Sequence, residues 1–227
     1  MRQKTGMRTM GAEGLLAVDC SLRLTGVALA REGRAVASET SDLGRRQSAE
    51  LPLMAERLLE EAGWDWSDVK RVAVTNGPGY FTGIRVGAAW ASALAWGLGV
   101  PLVPVSSLEL LALSRPEGTK GGVLVLVYAG RGAVYAASFG AEPAGSSLRE
   151  PELPQGEYTA EALTAWLAAH PHIPVISDDP DRMLKAIGLD WAVTCVRPDA
   201  ARLAEAAWER PSIPPAELRI AYCRAPV

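Results

Sequence analysis

Residues 86–108 carry no charge, and they begin two residues after the glycine-rich segment Asn76-Gly77-Pro78-Gly79-Tyr80-Phe81-Thr82-Gly83, past Ile84 and Arg85. An uncharged run of this length could span a bilayer. Gly97, Gly99, Pro101 and Pro104 interrupt it, so the spacing predicts a helix of about four turns ending near Gly99 and then a short strand over 101–105. A chain with this stretch has to bury a helix beside a strand, which calls for an α/β core and not a membrane span. Within the helix, Gly83, Gly87, Ala91 and Ala95 recur every four residues on one face. Small residues at that spacing let another helix approach closely, and the stripe reads as a docking face. Trp90 and Trp96 sit off it. Arg85 occupies the first turn, where a cation opposes the helix dipole; it is either kept for a partner carboxylate or phosphate, or is a solvated surface arginine.

The turn that precedes the helix lies where backbone amides can cradle an anion. It has no Gly-Lys-Ser or Gly-Lys-Thr ending, so it is not a Walker loop. Its glycines read GxGxxxG, and Glu109 lies too far on to serve as a ribose-binding acid. A second candidate is Asp19-Cys20-Ser21, a carboxylate ending an apolar run before a polar turn. Amides and the Ser21 hydroxyl there could face a phosphate, with Asp19 near a metal-bound water. The competing reading is an Asp and a Ser that bond their own turn.

Along the chain, 15–19 and 25–30 read as a hairpin, and Glu32-Gly33 turns into a third strand over 34–40. A helix from 48 to 62 places Leu51, Met54, Ala55, Leu58, Leu59 and Ala62 on one stripe, with Glu56, Arg57, Glu60 and Glu61 mostly opposite. Pro52 falls near its start and Gly63 closes it; Leu53 lies off the stripe. A strand over 69–75 leads into the glycine turn. After the strand at 101–105, Ser107 is the expected N-cap of a helix over 108–113. Residues 114–122 are a polar connection into a second lobe. That lobe opens with a buried strand at 123–127 and a hairpin partner at 133–139, then a surface loop over 141–156. A helix capped by Thr159 runs to 169, a strand lies at 174–177, and helices at 180–187 and 199–210 flank a strand at 193–197. Each lobe starts with a hairpin and continues in alternating helices and strands, a weak internal duplication. The expected division is a loose extension over 1–14, a first lobe over 15–105 and a second over 106–227, with the last helix packing back on the first lobe.

Composition narrows function. A net charge of -3 over 227 residues offers no basic footprint for nucleic acid. Cys20, Cys195 and Cys223 form no metal-spaced pair, and His170 and His172 cannot make a His-x-x-x-His pair. The odd, scattered cysteines and the lack of an apolar leader near Arg2, Lys4 and Arg8 suggest a reducing, cytoplasmic setting.

Taken together, Leu16-Ala17-Val18-Asp19-Cys20-Ser21, Thr25-Gly26-Val27-Ala28-Leu29, Arg45-Arg46-Gln47-Ser48-Ala49-Glu50-Leu51, the Gly77 to Arg85 block GPGYFTGIR, Gly99-Val100-Pro101-Leu102-Val103-Pro104-Val105-Ser106-Ser107-Leu108 and Tyr222-Cys223-Arg224-Ala225-Pro226 resemble the TsaB (YeaZ) family. The resemblance implies a two-lobed actin-like (ASKHA), ribonuclease-H-like α/β fold. It also implies a non-catalytic subunit of the machinery that makes threonylcarbamoyladenosine in tRNAs reading codons that begin with A. Such a subunit docks on its paralogue TsaD, the transferase, with TsaE joining as an ATPase, and meets tRNA only through the complex. Docking through the two first-lobe helices would use Leu51, Met54, Leu58, Phe81, Gly83, Arg85, Gly87, Ala91 and Ala95. No cofactor of its own is implied, with ATP or ADP placed at the partner interface; Asp19 and Ser21 are the residues to hold a nucleotide should one bind. A homodimer through the same helices is expected when TsaD is absent. Three positions depart from the family: Gln47 replaces a histidine, Asp19-Cys20-Ser21 replaces DTS, and Tyr128-Ala129-Gly130-Arg131 with Ala133 replaces a DAR stretch and a glutamate. The alternative is an actin-fold phosphotransferase or glycoprotease-like enzyme built on Asp19, Ser21 and the glycine turn.

Overall fold

Strand β1 (Gly14–Asp19) is buried at every position, the mark of a central strand covered on both faces. In this computed structural model, which describes residues 13–119, 121–130, 132–141, 148–149 and 152–223, Leu15 and Ala17 enter one core while Leu16 and Val18 enter another. The Glu32-Gly33 turn, both residues at positive φ, links β2 (Thr25–Arg31) to β3 (Arg34–Ser41). Next come α1 (Gln47–Ala62), β4 (Val69–Thr75), α2 (Phe81–Leu98) and β5 (Leu102–Val105). The first sheet runs β3-β2-β1-β4-β5. Its hairpin strands are antiparallel, and β4 and β5 are parallel to β1.

The second lobe repeats this plan. After α3 (Ser107–Leu113) come β6 (Val123–Gly130), β7 (Ala133–Ala141), β8 (Leu148–Arg149), β9 (Gly156–Thr159), α4 (Ala160–Ala169), β10 (Val175–Ser177), α5 (Pro180–Ile187), β11 (Thr194–Cys195) and α6 (Ala200–Ala207). Strands β6 and β7 form the antiparallel hairpin, β10 and β11 add in parallel on the other side of β6, and β9 pairs with β7. This is the two-lobed α/β architecture expected from the sequence. Helices α1 and α2 cover the outer face of the first sheet. Helices α3 and α6 share a core with both sheets, where Leu110, Leu203 and Ala204 meet Leu15, Ala28, Val123 and Val125. Helices α4 and α5 close the outside of the second sheet.

Several boundaries move for local reasons. A single 3₁₀ turn, Gly44–Arg46, runs straight into α1, so the helix starts at Gln47 and Pro52 lies inside it and not in its first turn. Helix α3 begins at Ser107 with Ser106 in the N-cap position, because the buried Ser107 hydroxyl is engaged elsewhere. Helix α6 is shorter than 199–210: Asp199 caps it by accepting from the Ala201 amide at 2.9 Å, and Arg210 turns aside to pair with Glu109. Thr159 caps α4 as expected. Among the described residues, no helix is long and apolar enough to cross a membrane. Most of the extension at 1–14, Arg131, much of the loop at 141–156 and the tail residues 224–227 lie outside the described residues.

Candidate functional site

The glycines after β4 have a specific structural use. A Cβ at Gly83 would stand 1.9 Å from the Cys20 carbonyl oxygen, and one at Gly79 would stand 2.2 Å from that of Ser21. The missing side chains let the start of α2 rest directly on the turn after β1. The Tyr80 amide donates to the Ser21 carbonyl at 2.8 Å, so the chain itself occupies one of the amides that a phosphate cradle would offer, and the Gly77 carbonyl accepts from the Ser107 amide at 3.0 Å. Gln47 donates to the Thr25 hydroxyl at 2.9 Å and ties α1 to the same turn.

This corrects the docking stripe. Gly83, Gly87, Ala91 and Ala95 are all buried, facing Cys20 and the outer core of the first sheet. Leu51, Met54 and Leu58 of α1 are buried in the same core. None of these seven reaches solvent to meet a partner. Their spacing signals close approach, but the element approached is the chain's own β1 turn. Of the expected docking residues, Phe81 and Arg85 are on the surface. The free face of α2 is a different row: Arg85, Ala89, Ala93 and Gly97, flanked by the half-buried Val86, Trp90 and Leu94 and by Trp96, which is 81% exposed. Both rows have small residues at four-residue spacing, so periodicity alone could not say which one faced inward. The distinguishing signal was glycine, present twice on the inner row where contact is closest.

The end of the chain adds to this face. Ile213 bridges to Leu102, and its amide donates to the Leu102 carbonyl at 2.7 Å, covering the edge of β5. Asn76 holds the tail through its side-chain amide to the Arg219 carbonyl at 3.0 Å and through its own carbonyl, which accepts from the Ala221 amide at 2.8 Å. Tyr222 then reaches Arg85, whose Nε donates to the phenol at 2.9 Å while its guanidinium lies 3.7 Å over the Phe81 ring. Arg85 is therefore engaged by two aromatic side chains of its own chain.

At the carboxyl ends of the parallel strands, buried polar groups gather. Asp19, 1% exposed, accepts on Oδ1 from the Ser21 amide at 2.9 Å, the Ser21 hydroxyl at 2.6 Å and the Thr75 hydroxyl at 2.6 Å. Ser107 donates in turn to the Ser21 hydroxyl at 2.6 Å. Burial pushes the Asp19 carboxyl up, and the Ser21 and Thr75 hydrogen bonds oppose it. Burial and the adjacent Asp19 carboxylate also push the Cys20 thiol up, so that Cys20 acts as a small apolar residue and not a nucleophile. Asp19 and Ser21 are both buried; Ser21 is bonded internally, while Asp19 uses Oδ1 for all three bonds and its buried Oδ2 has no partner among the described residues. Replacing Thr75 by valine removes a donor from a buried carboxylate and is expected to cost about 2 kcal/mol, read as a lower urea midpoint with an unchanged slope.

From the second lobe, Asp178 completes the junction. It is 5% exposed, and its Oδ2 accepts from the Arg23 amide at 3.0 Å, tying the first hairpin turn to the end of β10. Burial, followed by the Asp179 and Asp19 charges, overcomes that hydrogen bond and pushes its carboxyl up to about 6. Tyr80, beneath the Arg182 guanidinium at 5.0 Å, is pushed up to about 12 by burial and the Asp178 carboxylate. Asp178, Thr75 and Ser107 were not foreseen as junction residues, because each looks ordinary until the two lobes fold against each other.

Residues 41–150 match the family described as TsaD, tRNA N6-adenosine threonylcarbamoyltransferase. The tRNA threonylcarbamoyladenosine biosynthesis protein TsaB of Bacillus subtilis is 35% identical over 121 residues, covering 53% of this chain and 52% of that protein. A tRNA N6-adenosine threonylcarbamoyltransferase of Thermus thermophilus is 34% identical over 137 residues, covering 53% of this chain and 42% of that protein. The chain thus spans about half the length of the curated relatives it matches. Among solved structures, YeaZ from Pseudomonas aeruginosa superposes with a TM-score of 0.79 at 25% identity, over 92% of this chain and 99% of that one. Over about half of its length the chain is thus similar in sequence to TsaB and TsaD proteins, and over 92% of its length it is similar in fold to YeaZ.

Proposed function

We propose that the chain is a non-catalytic docking subunit in the synthesis of threonylcarbamoyladenosine on tRNA, and that it binds its TsaD paralogue through the outer row of α2. The observation that carries this reading is the uncharged surface running from Ala89 to Gly97, with Trp96 exposed beside it. An apolar helix face of that kind is a protein-binding feature, and the names of the TsaB relatives supply the pathway. The burial of Asp19 and Ser21 beneath the turn after β1 supports a role other than phosphoryl transfer. TsaE and tRNA would meet this chain within the larger assembly, and ATP or ADP at its interface. Without the paralogue, the same row would pair two copies of the chain.

Mass measurement during size exclusion tests this. The purified chain mixed with its cognate paralogue at micromolar concentration is expected to elute as one species carrying both chains, at the expense of any homodimer. Separate elution of the two proteins sinks the proposal.

A further inference from the structure

A cavity of about 350 Å³ opens between the lobes, lined by Arg23, Leu24, Asp42, Asp178, Cys195, Arg197 and Pro198. Its volume is near the lower end for small-molecule sites. The first-lobe wall is the turn after β1 and the residue following β3; the second-lobe wall is the end of β10 and the segment around β11. Two guanidiniums and two carboxylates line it, and they are unequally satisfied. Arg23 and Asp42 stand 3.8 Å apart and compensate each other at the surface. Asp178 uses one oxygen for the Arg23 amide, and its buried Oδ1 has no partner. Among the described residues, Arg197 is exposed and has no carboxylate within ion-pair distance, Asp178 included.

A buried carboxylate oxygen without a donor is costly. A free anion would be repelled by Asp178 and Asp42, and a free cation by the two arginines. A molecule carrying one charge of each sign satisfies both ends. We propose that this cavity binds a small zwitterion of the α-amino-acid class, its ammonium donating to Asp178 and its carboxylate held by Arg197 beside Arg23. The raised Asp178 carboxyl is consistent with this, since an ammonium placed on Oδ1 would restore the ordinary ionised state. Bound there, the ligand would join the two lobes, and it does so without reference to any partner of α2.

Thermal melting of the isolated chain in neutral buffer tests the site. The standard L-amino acids are added singly at millimolar concentration, with N-acetylglycine, glycinamide and acetate as controls that each carry charge of one sign only. At least one free amino acid, at about ten times its Kd, is expected to raise the midpoint by about 3 °C, while the three controls leave it unchanged. Asp178→Asn and Arg197→Ala should each abolish the shift, their own unliganded midpoints showing that they are folded. An equal shift from acetate or N-acetylglycine would overturn the proposal in favour of a simple anion site. No shift from any amino acid, or a shift retained in Asp178→Asn, would overturn it outright.

Discussion

Gly83→Ala is expected to lower the thermal midpoint by about 6–12 °C, the consequence of losing about 3 kcal/mol. A methyl group there meets the Cys20 carbonyl at 1.9 Å, which is backbone and cannot rotate away. The helix start has to lift off the β1 turn, breaking the bond from the Tyr80 amide to the Ser21 carbonyl. On the opposite side of the same helix, Ala93→Arg adds a far larger side chain into solvent, and the midpoint should stay within the roughly 0.5 kcal/mol typical of surface changes. Differential scanning calorimetry of the two variants separates the faces of α2. Equal stability of Gly83→Ala and the parent would show that the inner row is not packed against the β1 turn.

Asp178→Asn carries the second large effect. In the folded chain its carboxyl titrates at about 6, against an ordinary value of 3.8. Because the folded-state value is the higher one, the folded protein holds the proton more tightly. The stability gained by protonation is complete below about pH 4 and is lost as the pH rises through about 6. The full difference is worth about 3 kcal/mol. Asparagine keeps an oxygen for the Arg23 amide and carries no charge, so the variant should equal or exceed the parent above pH 6, by up to about 2 kcal/mol, and the difference should shrink toward pH 4. Urea unfolding across that window measures it. A variant that is less stable at every pH would mean that the Asp178 charge is compensated in the folded chain.

The fold was largely legible because its strongest signals are local. The hairpin at β1 and β2, the Glu32-Gly33 turn, the Gly63 and Gly99 helix ends, both at positive φ, and the Thr159 cap all rest on neighbours in sequence. Ser107 was misread for the opposite reason: a serine before an apolar run looks like a cap, but its hydroxyl bonds Ser21, eighty-six residues away. The docking row failed similarly. Spacing along α2 singled out the row of Gly83, Gly87, Ala91 and Ala95, but Ala89, Ala93 and Gly97 recur at the same interval, and choosing between them needed the position of the Cys20 carbonyl. The tail contact among Tyr222, Phe81 and Arg85 depends on the chain returning across the first lobe, which no local pattern announces. Asp178 became conspicuous only once the Arg23 amide was seen to approach it from the other lobe.

Placing the proposed docking surface on the outer and not the inner row of α2 also changes which substitution tests it. A bulky residue at Ala91 would disrupt the core and so weaken binding by unfolding the helix. Ala93 is exposed on the uncharged stretch from Ala89 to Gly97 and free of that ambiguity. The decisive measurement is the calorimetric affinity of Ala93→Arg for the cognate TsaD paralogue beside that of the parent chain. Burying an unpaired guanidinium in the interface should weaken binding by about 30- to 100-fold, equivalent to about 2–3 kcal/mol, with the melting midpoint unchanged. An affinity equal to the parent's would contradict docking through this face.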